Sequence, residues 1–304
     1  MRPAWSIIFF TAVSGLGFGT AAWLVLGFVD LTSPMHLLAT GLPVIALISA
    51  GLLSSTFHLG HPERAWRALS QWRSSWLSRE GVLAVISLLA LGLWGGYRIY
   101  IGMPPMWAAV AISLLMAAVV YATSMIYASL KTVARWYHPL TPICYLMFAA
   151  AGGLLSVLWL LAILGQPSSN ALQVAVLLGV ASAWGIKLVW WQVAGAAGSG
   201  SSLASATGLD SLGPVRSIMP AHTSENYLQH EMGFVVARRH ASRLRVLALI
   251  LGGAIPCALV LFAAGSAIAL GAAVMVHMAG VFVERWLFFA EAKHVVSLYY
   301  GDQH

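Results

Sequence analysis

Eight runs of about twenty apolar residues follow one another along this chain, and each is long enough to cross a bilayer as a helix. They fall at residues 5–28, 35–57, 81–101, 107–130, 140–164, 171–194, 245–264 and 267–290. Only 8% of the 304 residues are charged, against roughly 25% in an ordinary soluble domain. Apolar surface on this scale needs lipid as its solvent. The expected fold class is an all-α integral membrane protein, a bundle of eight transmembrane helices forming one domain over 1–304. Turn-forming residues mark the breaks: Asp30 to Pro34, Gly102-Met-Pro-Pro105, and Gly165 to Asn170. Residues 246–283 are too long for one span, and the break there is set at Ala263-Ala-Gly-Ser266. The first run exceeds the apolar core of a secretory signal and reads as a retained span.

The basic residues gather on one side. Arg2, then Arg64, Arg67, Arg73 and Arg79, then Lys131 and Arg135, then Arg216, Arg238, Arg239, Arg243 and Arg245, and finally Lys293 lie at one end of the bundle. Arg98 lies at the other end, and Lys187 and Arg285 lie within spans toward the crowded side. The positive-inside rule then puts both termini and the three long loops in the cytoplasm of a bacterial inner membrane. The formal charge of +7 is therefore a topological signal and excludes a nucleic-acid partner. Two cysteines, Cys144 and Cys257, fall short of the four thiolates that an iron–sulfur cluster takes, and exclude a disulfide framework. The longest loop, 195–244, opens with a flexible Gly/Ser linker. Its second part, 223–240, reads as an amphipathic helix: Thr223 or Ser224 caps it, and arginines collect at its end. A docking surface and a helix resting on lipid headgroups both suit that pattern.

Ionisable groups near lipid are costly and mark function. The densest set runs from His58 to Glu80. His58 closes the second span and Glu80 opens the third, so imidazole and carboxyl can meet at the membrane boundary. A quinone exchanges two electrons and two protons, and these side chains are suitable proton partners for its ring oxygens. Trp66, Trp72 and Trp76 offer flat apolar walls, and Arg64 and Arg79 can orient a headgroup or meet a partner protein. The plainer alternative is a pair of helix caps within an interfacial tryptophan belt. Tyr127, His138 and Lys187 are further candidates for the same site. Glu284 and Arg285 are neighbours pointing about 100° apart and need not pair, whereas Glu284 and Glu291 share a face, as do Lys187 and Trp191. The spans show no catalytic constellation and no set of metal ligands. Haem b would need two histidines at matching depth; His277 is central while His58 and His138 are near an end, which argues against it. A transporter remains a rival class, but the two halves show no internal repeat.

The run SSTFHLGHPERAWRALSQWRSSWLSREG at 54–81 resembles the signature of the DmsC family, the membrane anchors of dimethyl sulfoxide reductase and related molybdopterin oxidoreductases. It holds His58-Leu-Gly-His-Pro62, a basic amphipathic loop, and Ser78-Arg-Glu80 entering the next span. Sharper matches lie at YASLKTVARWYHPLTP (127–142) and ERWLFFAEAKHVVSLYYG (284–301), and the likeness covers the chain as an eight-span pattern. The resemblance implies an anchor without metal or haem of its own. Its partners would be a ferredoxin-like iron–sulfur subunit and a molybdopterin catalytic subunit, with quinone as the redox lipid. It also implies that His58 and Glu80 are tied to quinone binding. The catalytic face of dimethyl sulfoxide reductase looks into the periplasm, whereas charge here puts the His58 side in the cytoplasm. Residues 127–142 and 284–301 are similar to the sulfite-oxidising branch, which implies electrons passing from sulfite to quinone; a quinol-oxidising anchor is the alternative. Topology is the part most directly tested. A reporter fused after Ser211 should read as cytoplasmic and one after Ser168 as external, and the opposite pattern would overturn the charge argument.

Overall fold

The computed structural model describes residues 3–58, 61–196, 202–216, 218, 236–263 and 265–300. Eight helices in it are long and apolar enough to cross a membrane: α1 Trp5–Val25, α2 Pro34–Ser54, α3 Trp76–Tyr100, α4 Met106–Ala128, α5 Leu140–Ile163, α6 Asn170–Gly195, α7 His240–Ala263 and α8 Ala267–Ala290. The described residues contain no strand. The all-α, eight-span expectation holds, including the break before Ala267, where the Ser266 hydroxyl accepts from the Ala269 amide at 3.3 Å and starts α8.

Helix ends and apolar runs do not coincide: α1, α2 and α4 stop two or three residues short of their runs, whereas two helices extend ahead of theirs. The third helix begins at Trp76 rather than at residue 81, so Glu80 lies in its second turn. The helix that carries α7 is already present at Val236, ahead of the apolar run at 245. Apolarity marks where a helix meets lipid, but backbone hydrogen bonding continues beyond that slab wherever the residues permit it. Residues 236–240 are helical and continue into α7; residues 223–235 of the expected loop helix, like 197–201 of the linker, lie outside the described residues.

The core centres on α1 and α5, which bury the largest shares of their apolar stretches, 72% and 61%. Small residues make this possible. A Cβ on Gly19 would run into the Ala149 carbonyl, and one on Gly153 into the Gly19 backbone, so the two helices touch backbone to backbone. Trp23 Nε1 donates to the Ala150 carbonyl at 2.9 Å across the same seam. At one end of the bundle, the Asp30 amide donates to Gln166 Oε1 and Gln166 Nε2 donates to the Asp30 carbonyl, each at 2.8 Å, tying the α1–α2 turn to the α5–α6 turn. Hydrogen bonds from Thr32 hold the exposed Asp30 carboxyl below its usual value.

Two π-helical turns interrupt the regular helices, Phe10–Ser14 in α1 and Ile250–Ala254 in α7. In α1 the Ser14 hydroxyl donates to the Phe10 carbonyl at 2.6 Å. In α7 the turn precedes Pro256, which has no N–H to give the Gly252 carbonyl one turn back. His277 of α8 supplies the missing donor, with Nδ1 2.6 Å from that oxygen. The bond fixes the neutral ring with its proton on Nδ1. Replacing Gly153 by leucine should force α1 and α5 apart, at the upper end of the ~1–3 kcal/mol typical of overpacking. That loss should appear as a lower melting temperature of the detergent-solubilised protein; a wild-type melt would refute the close contact.

Candidate functional site

Antiparallel packing of alternate spans carries the starts of α3 and α5 and the ends of α4, α6 and α8 to one end of the bundle. The ionisable side chains expected from the sequence are found there, in three groups.

The first surrounds the α2–α3 connection. A 3₁₀ turn, Ser55–His58, ends the second span, and a longer one, Pro62–Gln71, runs along the surface. The backbone of His58 closes that first turn as expected; its side chain lies outside the described residues. Glu63 pairs with His61 at 3.1 Å and with Arg64 at 3.6 Å, all well exposed and therefore screened. Trp66 is 68% exposed, and Trp72 is exposed too, each beneath a neighbouring arginine. They form an outward face instead of the inner walls anticipated for them. Arg79 turns back on the loop: Nε donates to the Trp72 carbonyl at 3.0 Å, one terminal nitrogen donates to the Arg73 carbonyl at 2.7 Å, and the guanidinium lies 4.3 Å over Trp76. Those bonds hold the chain as it enters α3, and they use the arginine's donors locally. Glu80, one residue on, faces inward. It is buried, and Thr123 of α4 donates to its Oε1 at 3.2 Å. Among the described residues no basic side chain forms an ion pair with it.

The second group is aromatic. Tyr127 of α4 packs against Trp136, Tyr145, Phe288 and Phe289, with ring centroids 5.2–6.1 Å apart. Trp136 Nε1 donates to the Phe288 carbonyl at 2.9 Å, and Trp190 Nε1 to the Thr141 hydroxyl at 3.0 Å. His138 is half-buried at the start of α5, where its Nδ1 accepts from the Leu140 amide at 3.2 Å. That contact makes it a helix-end residue.

The third group is ionic and buried. Lys187 Nζ of α6 lies 2.5 Å from Glu284 Oε1 of α8, and Arg285 Nε lies 3.2 Å from Glu284 Oε2. All three side chains are 2% exposed or less. Glu284 and Arg285 therefore do pair, although successive helix positions diverge. The long arginine side chain reaches back to its neighbour's carboxylate. Two turns on, Glu291 is held by Arg135 at 2.6 Å and Arg245 at 2.7 Å. Outside the spans, burial pushes Arg135 below the usual arginine range, while Glu291 counters that and Arg245 adds to it.

Of the eight candidates, the seven whose side chains are described do not converge on one point. Glu80 and Tyr127 lie inward on adjacent helices; Arg64 and Trp66 face outward; Arg79 and His138 hold turns; Lys187 belongs to the ion cluster. The sequence reading missed Tyr145, whose ring lies 3.6 Å under the Arg285 guanidinium, and the pairing of Lys187 with Glu284. Their only sequence signal was three charges inside apolar runs.

These features define a polytopic membrane protein whose ionisable groups gather at one end of its bundle. The family model described as "DMSO reductase anchor subunit (DmsC)" matches residues 1–301, and the chain belongs to that family of membrane anchors. It is also similar to a subunit of the sulfite dehydrogenase of Allochromatium vinosum, 30% identical over 326 residues and covering 99% of both chains. Removing Glu284 by alanine substitution would leave two buried cations without a counter-charge, which should cost about 3–5 kcal/mol. Glu291→Ala should cost less, since Arg245 is 32% exposed. Thermal unfolding in detergent of the two variants checks the order, and equal losses would contradict it.

Proposed function

We propose that this chain anchors a molybdenum/iron–sulfur oxidoreductase to the membrane and provides its quinone site, passing electrons from sulfite oxidation on the cytoplasmic side of a bacterial inner membrane into quinone. The single observation that carries the reading is Glu80, a carboxyl group buried where α3 enters the bundle, with the Thr123 hydroxyl as its donor and no cation in an ion pair with it among the described residues. A carboxyl group so held can take up and release a proton without breaking a salt bridge. Quinone supplies the redox chemistry when bound, accepting two electrons and two protons to become quinol.

The residues fit such a group. Glu80 is the proton-exchanging partner inside the site, His58 the second partner at the end of α2, and Thr123 orients the carboxyl. Tyr127 provides an aromatic wall behind it. Arg79 keeps the connecting loop in place through two backbone carbonyls. The outward Trp66 and Trp72, with Arg64, Arg67 and Arg73 around them, suit contact with a partner. An iron–sulfur subunit docked there would bring its nearest cluster over the Glu80 end of the bundle, with the molybdopterin subunit beyond it. The relative's name supports sulfite as the electron source, and the one-sided arginines support the cytoplasmic orientation.

In the purified complex with its partner subunits, Glu80→Gln should lower sulfite-dependent quinone reduction by about a hundredfold or more, the usual size of a lost general acid–base group. His58→Ala should lower it too, with subunit stoichiometry unchanged in both. Wild-type turnover in an intact Glu80→Gln complex would overturn the site.

A further inference from the structure

We propose that Lys187, Glu284 and Arg285 form a proton-exchange site inside the bundle, at which Lys187 Nζ releases and regains one proton while Glu284 and Arg285 keep their charges. Two cations here share one carboxylate, and the side chains of Lys187, Glu284 and Arg285 are 1%, 0% and 2% exposed. With every group ionised the cluster carries a net positive charge away from water, which is unfavourable. Arginine does not lose its proton in proteins. Protonating Glu284 would raise the net charge further. One proton leaving Lys187 is the single change that makes the cluster neutral.

Opposing contacts keep the ammonium within reach. Nζ lies 3.5 Å from the Trp190 ring centroid and 5.3 Å from that of Phe288, besides its 2.5 Å contact with Glu284. Aromatic faces and a carboxylate both favour the cation. Against them stands the net positive charge of the buried cluster, so opposing interactions meet on one side chain.

The other groups facing Lys187 are few. From α5 comes Cys144; across the Trp190 ring, 5.4 Å from its centroid, lies Arg135; and the π turn and following part of α7 hold no charged residue, only Cys257.

A cavity of about 20 Å³, with Thr11, Tyr145, His277 and Arg285 among its lining residues, touches the cluster at Arg285. That is room for one water. His277 Nε2 lies buried beside it and has no hydrogen-bond partner among the described residues, its other nitrogen being taken by Gly252. Arg285 also lies over Tyr145, which lines the same cavity, and Tyr145 stacks on Tyr127 at 6.1 Å. Polar side chains thus run from the cluster to Tyr127. The proposal goes beyond the quinone reading by assigning the deeper cluster a proton of its own.

The test uses the intact complex with its partner subunits in lipid, and reads infrared difference spectra from about pH 6 to about pH 11, a range that spans the usual lysine value. In wild type the carboxylate stretch of Glu284, identified by its disappearance in Glu284→Gln, should shift reversibly in one titration step. Lys187→Arg, permanently charged, should lose that shift. Lys187→Met should hold the band at its alkaline position at every pH. A wild-type shift retained in Lys187→Arg, or no shift in wild type over the range, overturns the proposal. If Lys187→Arg does not assemble, a pH-dependent band in Lys187→Met overturns it equally. A wild-type complex that failed to reduce quinone would refute the quinone reading and leave this titration readable.

Discussion

Glu284 holds two cations away from water, and the geometry of one end of the bundle follows from that arrangement. Its carboxylate bridges Lys187 on α6 and Arg285 on its own helix, and Arg285 in turn covers Tyr145 on α5. Three helices are thereby fixed in register by groups that would be prohibitively unfavourable if separated in lipid. Packing of apolar side chains cannot do this alone in a membrane, because lipid tails are as apolar as the helices they surround. The ion cluster and the Gly19–Gly153 contact are complementary solutions to that lack of a driving force. One supplies directional attraction, and the other lets two backbones approach closely.

The π turns answer the same need to satisfy backbone polar groups. Every carbonyl freed inside a span must find a donor within the protein. Pro256 frees one, and His277 answers it from the neighbouring helix. A histidine at mid-span would read as a haem ligand or a proton carrier, yet half of its bonding capacity is used to repair α7. Its other nitrogen faces a water-sized cavity shared with Arg285 and Tyr145, so a structural repair and a polar interior meet in one ring.

As a DmsC-family anchor, the protein has to present one surface to other subunits and keep another sealed in lipid. The division is visible in adjacent residues. Arg79 directs its donors to the loop outside α3, while Glu80 turns its carboxyl into the core against Thr123. Surface arginines and tryptophans of the α2–α3 loop remain outward, where exposed charges add little to stability and much to recognition.

The spans were legible because apolar length and turn residues report directly on the lipid slab, and Glu80 stood out because a charge beside an apolar run has few structural excuses. The helix start at Trp76 was not legible, since hydrogen bonding does not stop where apolarity does. Nor was the outward turn of Trp66 or the local use of Arg79, because residue type alone does not say which side of a loop faces the core. The sequence by itself determined that eight helices cross the membrane and that a handful of charges must be accommodated among them. Tertiary structure alone decided which charges meet: Lys187 and Glu284 are 97 positions apart, and only the packing of α6 against its neighbours brings an ammonium within 2.5 Å of that carboxylate.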